Sequence, residues 1–283
     1  MFKILDSVFS SVTGRMNEDY IGICRNIAWV LDGTTGIGNR HLSQFPSDAR
    51  WFVRVVSKYL KDAALCGFGM SEALQRAMPN VLAAFSRHHH SFSNAILPAA
   101  SFLGIESGKQ NVRLFNLGDC RAIIWPFKGD ITFFGDSFVS QLDAKVVNEI
   151  NKIRIEQSAS YEEIWKKIIP IILSNRQLRN KENGYWVLDG TLEPLKEIQV
   201  IDLKADCLIL IMTDGFYRLV EIFHYFTWEE LLHHAQYKGL SRLIPILRQI
   251  EEEDPECIQF PRIKKSDDAS ALLLQVTINR KTL

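Results

Sequence analysis

Cys207-Leu208-Ile209-Leu210-Ile211-Met212-Thr213-Asp214-Gly215 sets an unbroken apolar run against an acidic dipeptide. A short apolar run bounded by turn residues reads as a strand buried on both faces. The pattern recurs at Ile27-Ala28-Trp29-Val30-Leu31, followed by Asp32-Gly33, and in reverse order at Asp267-Asp268, which precedes Ser270 to Ile278. A fourth acidic group, Asn17-Glu18-Asp19, precedes a further extended stretch. Burying a strand is favourable, but ending it in a carboxylate near the interior is costly unless something pairs with that charge. Several such carboxylates from distant parts of one chain are most easily reconciled by hard divalent cations, which take oxygen ligands.

Around these strands the period changes. Ser47 predicts a helix cap, with Asp48 in the first turn and Trp51, Phe52, Val55, Val56, Tyr59 and Leu60 at helical spacing. A second helix is expected from Ser71, kinked or divided at Pro79. Ser101–Ile105, Val112–Leu117 and Arg121–Trp125 read as strands whose short links favour antiparallel hairpins. Leu142–Ile155 and Tyr161–Leu173 have helical spacing, with Pro170 a break. Gly184–Leu188 and Ile198–Ile201 are expected as strands, Trp228–Gln236 and Leu240–Glu252 as helices. No linker and no internal repeat divides the chain, so residues 1–283 are expected to form one domain. The expected architecture is α+β, a four-layer β-sandwich of two mostly antiparallel sheets with helices on both outer faces.

Composition narrows the function. Over 283 residues Lys+Arg and Asp+Glu balance at 33 each, and no basic stripe with interleaved aromatics points to nucleic acid. No apolar run approaches the ~20 residues of a membrane helix, and the acid at Asp6 argues against a signal peptide. The five cysteines lack CxxC spacing; Cys24, Cys120 and Cys207 lie in or beside strand-like segments, where a reduced thiol is expected. A cytoplasmic monomer, with no membrane or nucleic-acid partner, is the expectation.

The acidic series resembles the metal-dependent serine/threonine protein phosphatases (type 2C), of bacterial type. The matching segments are Asn17-Glu18-Asp19, Trp29 to Gly36 with Asp32-Gly33, Asn116 to Ala122 with Gly118-Asp119, Leu208 to Gly215, and Asp267-Asp268-Ala269-Ser270. They follow the family's order over nearly the whole chain. The resemblance implies hydrolysis of phosphoserine or phosphothreonine in a phosphorylated protein, using two Mg²⁺ or Mn²⁺ ions. It implies that Asp32 bridges both ions, that the Gly33 carbonyl contributes to one, and that Asp214 and Asp267 hold the other. Glu18 and Asp19 would bind metal-bound waters or one ion directly. A metal pair can activate a bridging water and clamp a phosphoryl group for in-line attack.

The chain also departs from the family. Arg15 is the candidate for holding the phosphate, a task suited to a guanidinium, although its spacing to Glu18 is short. Family members commonly carry another Asp in the turn after Asp214, which binds a third ion with the residue matching Asp119. Here Gly215-Phe216-Tyr217-Arg218 places Arg218 there, which predicts a weak or absent third ion. Thr34 stands where eukaryotic members often have His. His88-His89-His90 lacks the spacing of helical metal ligands, and the six tryptophans read as core. Glu251-Glu252-Glu253-Asp254 reads as a helix ending in solvent, and Arg262–Lys265 as a solvated basic loop. Two other functions fit the residues: a catalytically weak regulatory protein that binds a phosphorylated or signalling partner, and a hydrolase of small phosphate esters.

Overall fold

The computed structural model describes residues 1–34, 47–87, 97–108, 111–135, 138–157 and 159–278; the His88–His90 run lies outside them. The strands are β1 (Phe2–Ser10), β2 (Asp19–Cys24), β3 (Ile27–Thr34), β4 (Ala99–Ser107), β5 (Val112–Leu117), β6 (Arg121–Pro126), β7 (Thr132–Phe134), β8 (Gln199–Leu203), β9 (Cys207–Met212) and β10 (Ala269–Val276). They form two five-stranded sheets, in the orders β1-β10-β9-β6-β7 and β2-β3-β4-β5-β8. Every pairing between these strands is antiparallel.

The two-residue period of a strand explains how the sheets bury both faces. In β9, Cys207, Ile209 and Ile211 point into the core between the sheets, while Leu208, Leu210 and Met212 point outward beneath helices. Likewise β3 turns Ala28 and Val30 inward and Ile27, Trp29 and Leu31 outward. Fully burying one such side chain is worth about 1.5–3 kcal/mol, which is why these runs carry no polar residue until their ends.

Helices α1 (Asp48–Leu65) and α2 (Met70–Ser86) cover the β2-containing sheet. Helices α5 (Asp214–Glu221), α6 (Trp228–Lys238) and α7 (Leu243–Glu253) cover the other. Between them in sequence, α3 (Phe138–Gln157) and α4 (Tyr161–Arg176) share a small core of their own, built on Val146, Ile150, Ile153, Ile164 and Ile168. The predicted four-layer sandwich is therefore present.

Several local expectations are corrected. The α1 cap is as predicted, with Ser47 Oγ accepting from the Arg50 N–H at 3.1 Å. The second helix instead starts after Gly69, and the distant Glu106 carboxylate accepts from the Met70 N–H at 3.0 Å. Pro79 and Pro170 do not interrupt α2 or α4. Both prolines lie on exposed faces, and so do Gln75 and Lys166, whose carbonyls water can serve in place of the missing N–H. The β5–β6 link is no hairpin, because β6 belongs to the other sheet. Gly184–Leu188 makes only isolated bridges, Leu188 with Ala100 and Tyr185 with Arg179. The five cysteines are free thiols, and none of the described helices is long and apolar enough to cross a membrane.

Candidate metal centre

The acidic segments meet at one end of the sandwich because strand register puts them there. Asp19 opens β2 and Asp32 lies near the end of β3, directly opposite one another in the ladder. By strand alternation both share the face of Ile21, Ala28 and Val30, which line the inter-sheet core. On the other side of β3, Asp32 faces Ser101 of β4, whose hydroxyl donates to Asp119 in the β5–β6 link. From the second sheet, Asp214 is the first residue of α5, behind the N-cap Thr213. Thr213 Oγ1 donates to Asp19 Oδ2 at 2.9 Å and accepts from the Ser270 N–H at 3.0 Å, tying β2 to both β9 and β10.

Two glycines make this convergence possible. A Cβ on Gly33 would stand 2.5 Å from the Glu18 carbonyl oxygen, and one on Gly215 would stand 1.9 Å from that of Asp268. Each Asp-Gly glycine thus admits the backbone of another acidic segment, so neither serves as an ordinary turn residue. Asp268 continues the tie: its carboxylate accepts from the Glu18 N–H at 2.6 Å and the Val12 N–H at 3.0 Å. Asn17 Oδ1 accepts from the Asp19 N–H at 2.8 Å, and Glu18 itself accepts from the Ser47 hydroxyl.

The electrostatics divide the site in two. Burial holds the Asp32 carboxyl well above its usual range, and repulsion from Asp214, Asp19 and Asp119 adds to it. Asp19, only 3% exposed, is also held well above, by burial first and by Asp268 and Asp267 in addition. Asp119 is pushed up to about 6 by burial and then by Asp214. On this side like charges stand close together, and directly opposite like charges destabilise a ladder.

Asp267 behaves in the opposite way. Burial alone would raise its carboxyl, but Lys264 and Arg218 hold it below its usual range. Arg218 Nη2 donates to Asp267 Oδ2 at 2.7 Å, and Lys264 Nζ reaches its two carboxylate oxygens at 3.0 and 2.8 Å. Arg218 is 5% exposed and also lies 3.9 Å from Asp214 and 3.7 Å from Glu251. Burial works against its charge, yet Asp267, Asp214 and Glu251 together raise its proton affinity.

The expectation of Arg218 as a neighbour of Asp119 is corrected. The residues after Asp214 form α5 and no turn, so Arg218 sits one helical turn from Asp214 and faces Asp267. The Glu251–Asp254 run is not a solvated end either. Glu251 is buried against Arg248 at 2.6 Å, and buried Asp254 pairs with Arg262 at 2.6 Å. Arg262 is itself buried, so the basic loop is only partly solvated.

Further residues emerge that sequence patterns did not single out. Asp143, accessible on α3, lies close enough to feel Asp119 and Asp214. Arg176, at the end of α4, is close enough to feel Glu18 and Asp143. A lone acid on an exposed helix face and an Arg at a helix end carry no sequence signal. Arg15 is exposed on the turn before Glu18.

The side chains gathered near Asp32 offer only oxygen donors, the chemistry that hard divalent cations take. Among the described residues, no three of these side chains already close on one point as a coordination shell. At Asp267 the fit is poor, because two cationic side chains already hold its carboxylate.

No protein-family model matches the chain and no curated protein does. Solved structures do match. The catalytic domain of the serine/threonine protein phosphatase PstP, in complex with two manganese ions, is 15% identical over 98% of each chain, with a TM-score of 0.57. The phosphatase MsPP from Mycobacterium smegmatis, in complex with cacodylate, is 13% identical over 97% of this chain and 99% of its own, with a TM-score of 0.54. Stp1 from Staphylococcus aureus is 15% identical over 97% and 96%, with a TM-score of 0.53.

Proposed function

We propose that this chain, which has the fold of the metal-dependent serine/threonine phosphatases, is itself a divalent-cation-dependent phosphatase acting on phosphoserine or phosphothreonine in proteins. The observation that carries the reading is the acidic group of Asp19, Asp32, Asp119 and Asp214, gathered from both sheets at one end of the sandwich, of which only Asp214 has a Lys or Arg within 4.0 Å among the described residues. A protein keeps such an arrangement at a cost in stability, and a hard cation, Mg²⁺ or Mn²⁺, relieves it. When bound, the cation would activate a water and neutralise phosphoryl oxygens during in-line attack.

The chain's own residues supply position and charge. Asp32, Asp119 and Asp214 would hold the cation, with the Gly33 backbone brought close by its contact to Glu18. Glu18, fixed by Asp268 and Ser47, would orient water at the mouth of the site. Arg15, on the exposed turn before it, would meet the phosphate, with two N–H donors matched to two oxygens. The α3–α4 pair, which brings Asp143 and Arg176 towards the acids, is the surface best placed to choose among substrates.

Phosphopeptide and p-nitrophenyl phosphate hydrolysis tests this. Turnover should require Mn²⁺ and be lost in Asp32→Asn and Asp214→Asn; full activity in EDTA would overturn it. The pairing of Asp267 with Arg218 and Lys264 favours a second reading, a weakly catalytic regulatory protein that binds a phosphorylated partner. Calorimetry separates the two, since that reading expects no Mn²⁺ binding at millimolar concentration.

A further inference from the structure

We infer that Arg218 and Lys264 take the place of a second metal ion at Asp267, so that Asp267 is no metal ligand and the chain accepts a single divalent cation. This rests on the proposed metal-dependent function and specifies its ion count.

Geometry carries the argument. An ion coordinated by Asp267 would have to approach its oxygens to about 2.0–2.2 Å, the distance of a small hard cation. Arg218 Nη2 stands 2.7 Å from Oδ2, and Lys264 Nζ stands 2.8 Å from that oxygen and 3.0 Å from Oδ1. Both carboxylate oxygens therefore already face a full positive charge. A divalent ion there would share a largely buried space with two like charges, where low polarisability strengthens repulsion.

The two cations are not equally removable. Lys264 is half exposed and can swing into solvent. Arg218 cannot, because its side chain is only 6% exposed and is enclosed by Asp267, Asp214 and the buried Glu251. Helix α5 fixes its origin one turn from Asp214. If Arg218 withdrew, Glu251 would keep Arg248 alone as its partner. A buried charge that loses a partner is strongly penalised, so Arg218 is the permanent part of the pair and Lys264 the adjustable one.

On the opposite side only Asp214 has a cation within 4.0 Å among the described residues, the same Arg218 at 3.9 Å. Asp32 and Asp119 have no ion pair with Lys or Arg within 4.0 Å among the described residues, so the direct contacts that close Asp267 to a metal ion are missing there.

The test is Mn²⁺ stoichiometry on the whole chain, by equilibrium dialysis with metal analysis, joined to electron paramagnetic resonance, which distinguishes an isolated Mn²⁺ from an exchange-coupled pair. The expected result is one ion per chain with an isolated-ion spectrum. Lys264→Met should admit a second ion weakly, and the double variant Arg218→Met, Lys264→Met should admit it fully, with a coupled spectrum. Two ions and a coupled spectrum in the unaltered protein overturn the inference and leave the phosphatase reading intact. No bound Mn²⁺ at millimolar concentration overturns both. The unaltered protein decides the question even if the double variant fails to fold.

Discussion

Asp32 and Asp267 lie at the same end of the sandwich, and their surroundings pull them in opposite directions. Asp32 is surrounded by acids and holds its proton tightly; Asp267 is gripped by Lys264 and Arg218 and gives its proton up easily. Both carboxylates follow or precede buried strands, so burial alone cannot explain the difference. The difference is the local cation. One half of the acidic group is neutralised within the polypeptide, and under the proposed function the other half is completed by a cation from solution.

The largest expected effect falls on the incomplete half. Asp32→Asn should lower Mn²⁺-dependent phosphopeptide turnover by about 10³-fold or more, because a cation that neutralises a transferring phosphoryl group is worth several kcal/mol and each 1.4 kcal/mol is about tenfold in rate. Turnover within about threefold of the unaltered chain, a difference under ~1 kcal/mol, would remove the distinction between the two halves.

Next in size is the complete half. Asp267→Asn leaves buried Arg218 facing Glu251 and Asp214 without its nearest carboxylate. Breaking a buried pair costs about 3–5 kcal/mol, and the exposure of Lys264 places the expectation near the lower end, about 3 kcal/mol. Urea unfolding of the metal-free protein measures it. An unchanged midpoint would mean that Arg218 gains little from Asp267.

A third carboxylate serves as a reference away from the site. Asp254 is buried, and burial raises its carboxyl, but the N–H groups of Phe260, Gln259 and Ile258 together with Arg262 outweigh that and lower it. A carboxyl lowered by folding contributes stability that is present above its unfolded value, about 3.9, and that is lost as pH falls through its folded value. Asp254→Asn should therefore cost about 2 kcal/mol at neutral pH, as for a charged hydrogen bond, and the cost should shrink in acid. Mn²⁺ binding should not change. Loss of Mn²⁺ binding in this variant would show that charge compensation anywhere nearby, and not at Asp267 alone, controls the site.

What could be read from the sequence follows from how local each feature is. The strands β3, β9 and β10 were legible because a buried strand needs an unbroken apolar run, and the acids at their ends stood out against it. Ser47 was legible as a cap because its partner is the Arg50 N–H, three residues away. The cap of α2 was not, because Glu106 reaches Met70 across 36 residues of sequence. Asp214-Gly215 suggested a turn, yet Gly215 is required by the approach of the Asp268 carbonyl, and the chain continues as α5. A turn there would aim Arg218 at Asp119; the helix aims it at Asp267. The Glu251–Asp254 run reads as solvated in sequence because its partners Arg218 and Arg262 are set by tertiary packing, and Arg248, three residues back on α7, is the one local partner.

The smallest effect separates the halves most sharply, because its sign is reversed. In metal-free protein, Asp32→Asn removes a charge that Asp19, Asp119 and Asp214 all oppose. Asn keeps the shape and an acceptor oxygen, so the neighbouring β2 and β4 ladders need not shift. Neutralising a repelled, partly buried carboxylate should stabilise the fold by about 1 kcal/mol, the scale of one like-charge pair across a ladder. Thermal melts in EDTA would register this as a rise in midpoint. Saturating Mn²⁺ should reverse the order, because the unaltered chain gains binding free energy that the variant cannot. A midpoint that falls in EDTA would mean that Asp32 already has a compensating partner, and the halves would no longer differ.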